Sequence, residues 1–162
     1  MIFVTVGTHT KGFDRLFKEI DRLVSEDKIK DKFFVEVGKS DYRPENYEYT
    51  DLLPFEKYKK MISEADLVIS HGGLGSVINV LEKNKKLVVV PRRKEFDEHV
   101  DDHQLQIAKV LEKRERAIPV YDIKNLEGAI KKAEKSKMLN RNIGKENKII
   151  EVIENYIEEN NR

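Results

Sequence analysis

A chain of 162 residues has the length of one domain with a short appendage. Its 31 Lys+Arg and 30 Asp+Glu give a net charge of +1, which argues against a nucleic-acid binder working through a dominant basic face. The absence of cysteine excludes disulfides, thiolate catalysis and Cys-ligated zinc. No run approaches the ~18 consecutive apolar residues needed to span a bilayer, and MIFVTVGTHT enters a strand without a basic leader. The expectation is a soluble, cytoplasmic domain.

The apolar pattern alternates between short runs and helical spacing. Ile2–Val6 is a β-branched run stopped by Gly7 and predicts a buried strand. Phe13, Leu16, Phe17, Ile20, Leu23 and Val24 then recur at three- and four-residue intervals, the mark of an amphipathic helix. Phe33–Val37 is a second strand ended by Gly38. Lys39–Leu53 reads as a Tyr-rich loop holding at most one short strand, with Pro44 and Pro54 as breakers. A helix over 56–64, a strand over 67–70, a helix over 74–84 and a strand over 87–90 follow. The charged loop Arg92–Glu98 leads into a predicted helix over 99–113. Pro119 marks Ala117–Val120 as an edge strand, because it cannot donate to a central ladder.

Helices over 126–135 and 145–160 close the chain. Ser136–Lys148 is the one linker-like stretch, so the division is residues 1–135 as a domain and 136–162 as linker plus an amphipathic helix. Strands apolar on both faces and alternating with helices predict a mostly parallel sheet of about six strands, covered on both sides. The fold class is therefore a Rossmann-like three-layer α/β/α domain.

Ligands bind such sheets beyond the carboxyl ends of the strands, where three loops stand out. In the first, Gly7-Thr8-His9-Thr10-Lys11-Gly12, Phe13 and Asp14 occupy the Lys and Ser/Thr positions of a P-loop, and Thr10 replaces the third glycine of G-x-G-x-x-G, so neither phosphate motif is present. Gly7 and Thr8 either line a ligand or simply turn the chain into the helix.

The second loop, Ser70-His71-Gly72-Gly73-Leu74-Gly75-Ser76, strips side chains from a strand-to-helix turn. Its N–H groups and the positive end of the helix dipole suit a phosphate, with the Ser76 hydroxyl and the His71 ring as further donors; tight strand–helix packing is the plainer use of those glycines. The third loop runs from Pro91-Arg92 to Asp102-His103-Gln104. His99 and His103 stand four apart as zinc pairs do, but Val100 replaces the Glu of H-E-x-x-H and no third ligand is evident, so no metal site is expected. Asp102, His103 and Gln104 suit hydrogen bonds to sugar hydroxyls, with helix capping as the alternative.

SHGGLGS at 70–76, VVVPR at 88–92 and EHVDDHQ at 98–104 together resemble the C-terminal, donor-binding half of GT-B glycosyltransferases of the family 28 type. The similarity is to their small single-domain members, the catalytic subunits of dolichol-linked N-acetylglucosamine transfer and of bacterial exopolysaccharide synthesis. VTVGTH followed by FDRL fits the same group, and the resemblance covers about residues 1–133.

The resemblance implies a UDP-sugar donor held by His71 and the Gly73-Leu74-Gly75-Ser76 turn, with Gly7, Thr8 and Arg92 nearby and Asp102, His103 and Gln104 facing the sugar or its proximal phosphate. Many relatives carry a Glu for the ribose hydroxyls three residues beyond the motif serine; here it is Asn79. It further implies inverting transfer of a hexose or N-acetylhexosamine to a lipid-linked or polysaccharide acceptor, with no cofactor. A separate, membrane-anchored subunit would supply the acceptor site and recruit the chain to the inner face of the membrane. His9 is the in-chain candidate for the general base. A non-catalytic nucleotide-sugar-binding module or regulatory subunit is the alternative, and self-association is left open.

Overall fold

Strand alternation places successive side chains on opposite faces of a sheet, and here both faces are apolar. The computed structural model describes residues 1–136 and Asn155; the expected linker and C-terminal helix lie outside the described residues. Six strands form one sheet: β1 (Ile2–Thr5), β2 (Phe33–Glu36), β3 (Glu48–Thr50), β4 (Leu67–Ser70), β5 (Lys86–Val89) and β6 (Ile118–Pro119). Their order is β3-β2-β1-β4-β5-β6, and every pairing is parallel. Strand β3 is the short strand expected in the Tyr-rich loop. Strand β6 is the expected edge, with Val120 N–H donating to the Val89 carbonyl just past Pro119.

One face of the sheet, carrying Ile2, Val4, Val35 and Ile69, packs on α1 (Asp14–Ser25) through Leu16, Phe17, Ile20 and Leu23, and on α5 (Leu126–Lys135) through Leu126, Ala129 and Ile130. The other face, carrying Phe3, Val68, Leu87 and Val89, packs on α2 (Phe55–Glu64), α3 (Leu74–Glu82) and α4 (His103–Lys113). The result is the expected three-layer sandwich.

On that second face the outermost residues turn polar toward the carboxyl ends of the strands. The phase that gives Phe3, Phe34 and Val68 gives Thr5, Glu36 and Ser70 two residues later, and all three are buried. They form a polar layer beside β1 and β4, where the strand order reverses, which is the position of the ligand crevice in doubly wound sheets.

The predicted helix over 99–113 starts four residues late, at His103. Asp97 adopts a left-handed φ of 55°, and Glu98 is held by two hydrogen bonds from Arg15 and one from the Arg93 N–H. The His103 N–H then donates to Asp101 Oδ1. These contacts fix 97–102 as a turn, so His99 and His103 do not share a helical face.

Candidate functional site

A cavity of about 440 Å³ opens at the carboxyl ends of β1, β2 and β4, within the usual range for small-molecule sites. It is lined by Thr5, Gly7, Thr8, Glu36, Leu52, Leu53, Phe55, Tyr58, His71, Gly73, Leu74, Gly75, Ser76 and Asn79. Two helices begin on it. Gly73 occupies the cap position of α3 and Pro54 that of α2, and neither helix has a side-chain cap. The N–H groups of Leu74, Gly75 and Ser76 have no acceptor among the described residues, the first intrahelical bond being Val77 N–H to the Gly73 carbonyl. Exposed N–H groups at the positive end of a helix dipole favour an anion.

The glycines of the turn serve different ends. A Cβ on Gly73 would stand 2.3 Å from His71 Nε2, and one on Gly7, whose φ is +67°, 2.8 Å from the same ring; these two residues make room for the imidazole. A Cβ on Gly75 meets nothing within 4 Å, so the space beside this residue is open to the cavity.

His71 is buried, and its Nδ1 lies 3.4 Å from the Thr5 carbonyl. That contact selects the Nδ1–H tautomer, leaving Nε2 as an acceptor rather than a phosphate donor. Burial, reinforced by the Arg92 charge, pulls its pKa from the ordinary 6.5 to about 3. Because the folded value lies below the unfolded one, the unfolded chain takes up a proton that the folded chain refuses, and stability falls as pH drops below about 6.5. Urea melts of wild type and His71→Gln are expected to show a wild-type acid penalty steeper by up to ~1.4 kcal/mol per pH unit. Parallel pH profiles would mean the ring titrates normally.

The remaining residues singled out from sequence lie beside the cavity rather than on its lining. Arg92 is completely buried, and its guanidinium donates to the carbonyls of Lys11, Gly12, Glu98 and Val6 while its N–H donates to Gln104 Oε1. It clamps the first and third loops together and is placed to brace the site, not to touch a donor. Gln104 is buried and spends its carbonyl oxygen on that clamp. Asp102 stands at the cap position of α4, yet its carboxylate accepts from the Lys94 N–H. His103 is the first residue of α4, partly exposed, with Nδ1 3.0 Å from Asp101 Oδ2.

His9 is half-buried, with its ring 4.5 Å from that of His99 and its Nδ1 accepting from the Lys11 N–H. Burial, then the neighbouring His99, Arg92 and Lys11 charges, lowers its pKa, which keeps the ring neutral, with its hydrogen on Nε2. Among the described residues, no group of three or more His, Asp or Glu is arranged to hold a metal, and no helix is long and apolar enough to cross a membrane.

The sequence reading missed Thr5, Glu36, Leu52, Leu53, Phe55 and Tyr58. The visible signal was a glutamate in the inward phase of FFVEV and the apolar LLPF before α2.

The profile of the glycosyltransferase family 28 C-terminal domain matches residues 1–156. The chain belongs to that family. It is 37% identical over 122 residues to the human UDP-N-acetylglucosamine transferase subunit ALG13, a match covering 69% of this chain and 10% of that protein. It is 44% identical over 68 residues to the Candida albicans subunit of the same name, covering 42% of this chain and 22% of that one. The chain thus spans a minor part of these curated relatives.

Among solved structures, the kitacinnamycin glycotransferase superimposes with a TM-score of 0.67 at 15% identity, covering 96% of this chain and 38% of that one. The glycosyltransferase SnogD from Streptomyces nogalater gives 0.60 at 18% identity, with 98% and 39% covered. At that identity the likeness is one of fold, a Rossmann-like α/β half of a GT-B glycosyltransferase.

Proposed function

We propose that the chain is the donor-binding subunit of an inverting, UDP-sugar-dependent glycosyltransferase. The observation that carries this reading is the uncapped start of α3, whose Leu74, Gly75 and Ser76 N–H groups open on the cavity where Gly75 leaves space. The donor diphosphate sits there, and the nucleoside runs toward Leu52, Leu53 and Phe55. Phe55 and Leu52 are exposed at 58% and 39%, apolar surface that a base would cover. The Asn79 amide donates to the Gly75 carbonyl, leaving its side-chain oxygen for a ribose hydroxyl.

In the transfer, an acceptor hydroxyl attacks the anomeric carbon as the bond to the diphosphate breaks. Charge developing on the leaving oxygen is met by N–H groups already in place, which need no reorganisation and no metal. His9 lies beyond the end of β1 and is the candidate in this chain to take the proton, at Nδ1 in exchange for its bond from the Lys11 N–H. The acceptor, lipid-linked or polysaccharide, is bound by a separate membrane-anchored partner that holds this chain at the cytoplasmic face. Support for a partner is the word "subunit" in the names of the relatives.

Calorimetric titration with UDP-N-acetylglucosamine tests the reading. Saturable binding at micromolar to low-millimolar donor is expected, and absence of heat at millimolar donor would overturn it. Transfer of labelled sugar is expected only when the partner subunit is present.

A further inference from the structure

We propose that Glu36 is a positioning residue for the donor diphosphate, acting through a row of hydroxyls formed by Thr5, Tyr58 and Ser76. This rests on the donor-site reading above and adds to it a residue that never touches the donor.

Glu36 closes β2 and is 4% exposed. Its Oε2 accepts from the Thr5 hydroxyl at 2.8 Å and its Oε1 from the Leu53 N–H at 2.9 Å. The carboxyl therefore ties the end of β1 to the segment that leads into α2. Tyr58, on the first turns of α2, is nine-tenths buried and lines the same cavity. Its hydroxyl lies against those of Ser76 and Thr5 yet makes a well-formed hydrogen bond with neither. An unpartnered hydroxyl in a buried site costs free energy unless a ligand completes it.

The direction of this row depends on what Glu36 presents. An ionised carboxylate accepts only, so it draws the Thr5 hydrogen inward. Thr5 then offers lone pairs to Tyr58, and the row points its hydrogens away from the cavity mouth. A neutral group at position 36 can donate to Thr5 instead. Thr5 donates to Tyr58 in turn, Tyr58 to Ser76, and the Ser76 hydrogen is delivered to a phosphate oxygen. A buried negative charge behind the anion site is removed at the same time. Desolvation pushes the Glu36 pKa up despite the Leu53 and Thr5 bonds, bringing the neutral form nearer to the physiological range.

The titratable groups around Glu36 are Tyr58 on α2, whose pKa burial raises, and His71 across the cavity, held neutral by burial. On the β3 side, Asp51 is exposed and paired with Arg43. None of these carries a positive charge to hold Glu36 ionised.

The test is calorimetric titration with UDP-N-acetylglucosamine, whose diphosphate stays dianionic throughout, at several values between about pH 5 and pH 8. Glu36→Gln keeps the acceptor for Leu53 and places a donor against Thr5. It is expected to bind about tenfold more tightly than wild type at the alkaline end, with the two converging as acid neutralises Glu36. The rest of the site is the same in both proteins, so the ratio isolates residue 36. In the Glu36→Gln background, Tyr58→Phe is expected to lose several-fold in affinity, and in a Thr5→Val background the gain from Glu36→Gln should shrink to the part owed to the removed charge, because the row is cut.

A pH-independent ratio near one, or the same gain in the Thr5→Val background, would overturn the inference while leaving the donor site standing. No binding by the wild type at any pH would overturn both.

Discussion

Arg92→Met is expected to lower stability by about 3–5 kcal/mol, about 10 °C in melting temperature for a domain of this size, and to abolish donor binding. The side chain is fully buried and its guanidinium serves four backbone carbonyls, on Val6, Lys11, Gly12 and Glu98. It also lies over the Phe13 ring, 4.8 Å from its centroid. Methionine fills much of the volume but leaves those carbonyls without donors in a site water cannot readily reach. Burial lowers the Arg92 pKa to about 10, so the group is a cation at neutral pH, and the Glu98 carboxylate, which Arg15 binds, loses a second nearby positive charge.

Because Val6 and Gly12 bracket the first loop, its release displaces Gly7 and Thr8 from the cavity lining. Thermal melts and donor titration of the variant check both effects. A melting temperature within 2–3 °C of wild type, the shift for about 1 kcal/mol, would show that the clamp is dispensable.

The same arginine marks the boundary of what the sequence could disclose. Strand phase is a local property, so the runs at Ile2, Phe33, Leu67 and Leu87 and the parallel pairing were legible from apolar residues alone. The turn at Gly73–Ser76 was legible for a similar reason, since a glycine cluster between a strand and a helix has few uses. Arg92, Asp102 and Gln104 were singled out as donor contacts because polar residues in a loop beyond the sheet look alike in one dimension. Whether a guanidinium points outward or turns inward depends here on three carbonyls about eighty positions away in sequence, which no local pattern records.

The late start of α4 has the same origin. The acids and histidines of 97–102 would tolerate a helix, but Arg15, far upstream, captures Glu98. Glu36 and Tyr58 escaped notice for the converse reason. Each sits in a segment whose hydrophobic pattern already had an explanation, and only the convergence of β2, α2 and α3 exposes their polar atoms to one cavity.

A contrast between two glycines of one turn separates folding from binding. Gly75→Leu should fold at least as well as wild type, because the backbone there is ordinary helix and leucine is the better helix former by about 0.5–1 kcal/mol; a Cβ at that position meets nothing within 4 Å. Its side chain occupies the approach to the Leu74, Gly75 and Ser76 N–H groups, so affinity for UDP-N-acetylglucosamine should fall about a hundredfold, ~2.7 kcal/mol.

Gly73→Ala should behave in the opposite manner. Its methyl would stand 2.3 Å from His71 Nε2, and with the ring boxed between Gly7 and Gly73 the strain goes into the fold, at about 1–3 kcal/mol. Melting curves and donor titrations of the pair decide the matter: a Gly75→Leu protein that keeps both its stability and its affinity would place the diphosphate somewhere other than the start of α3.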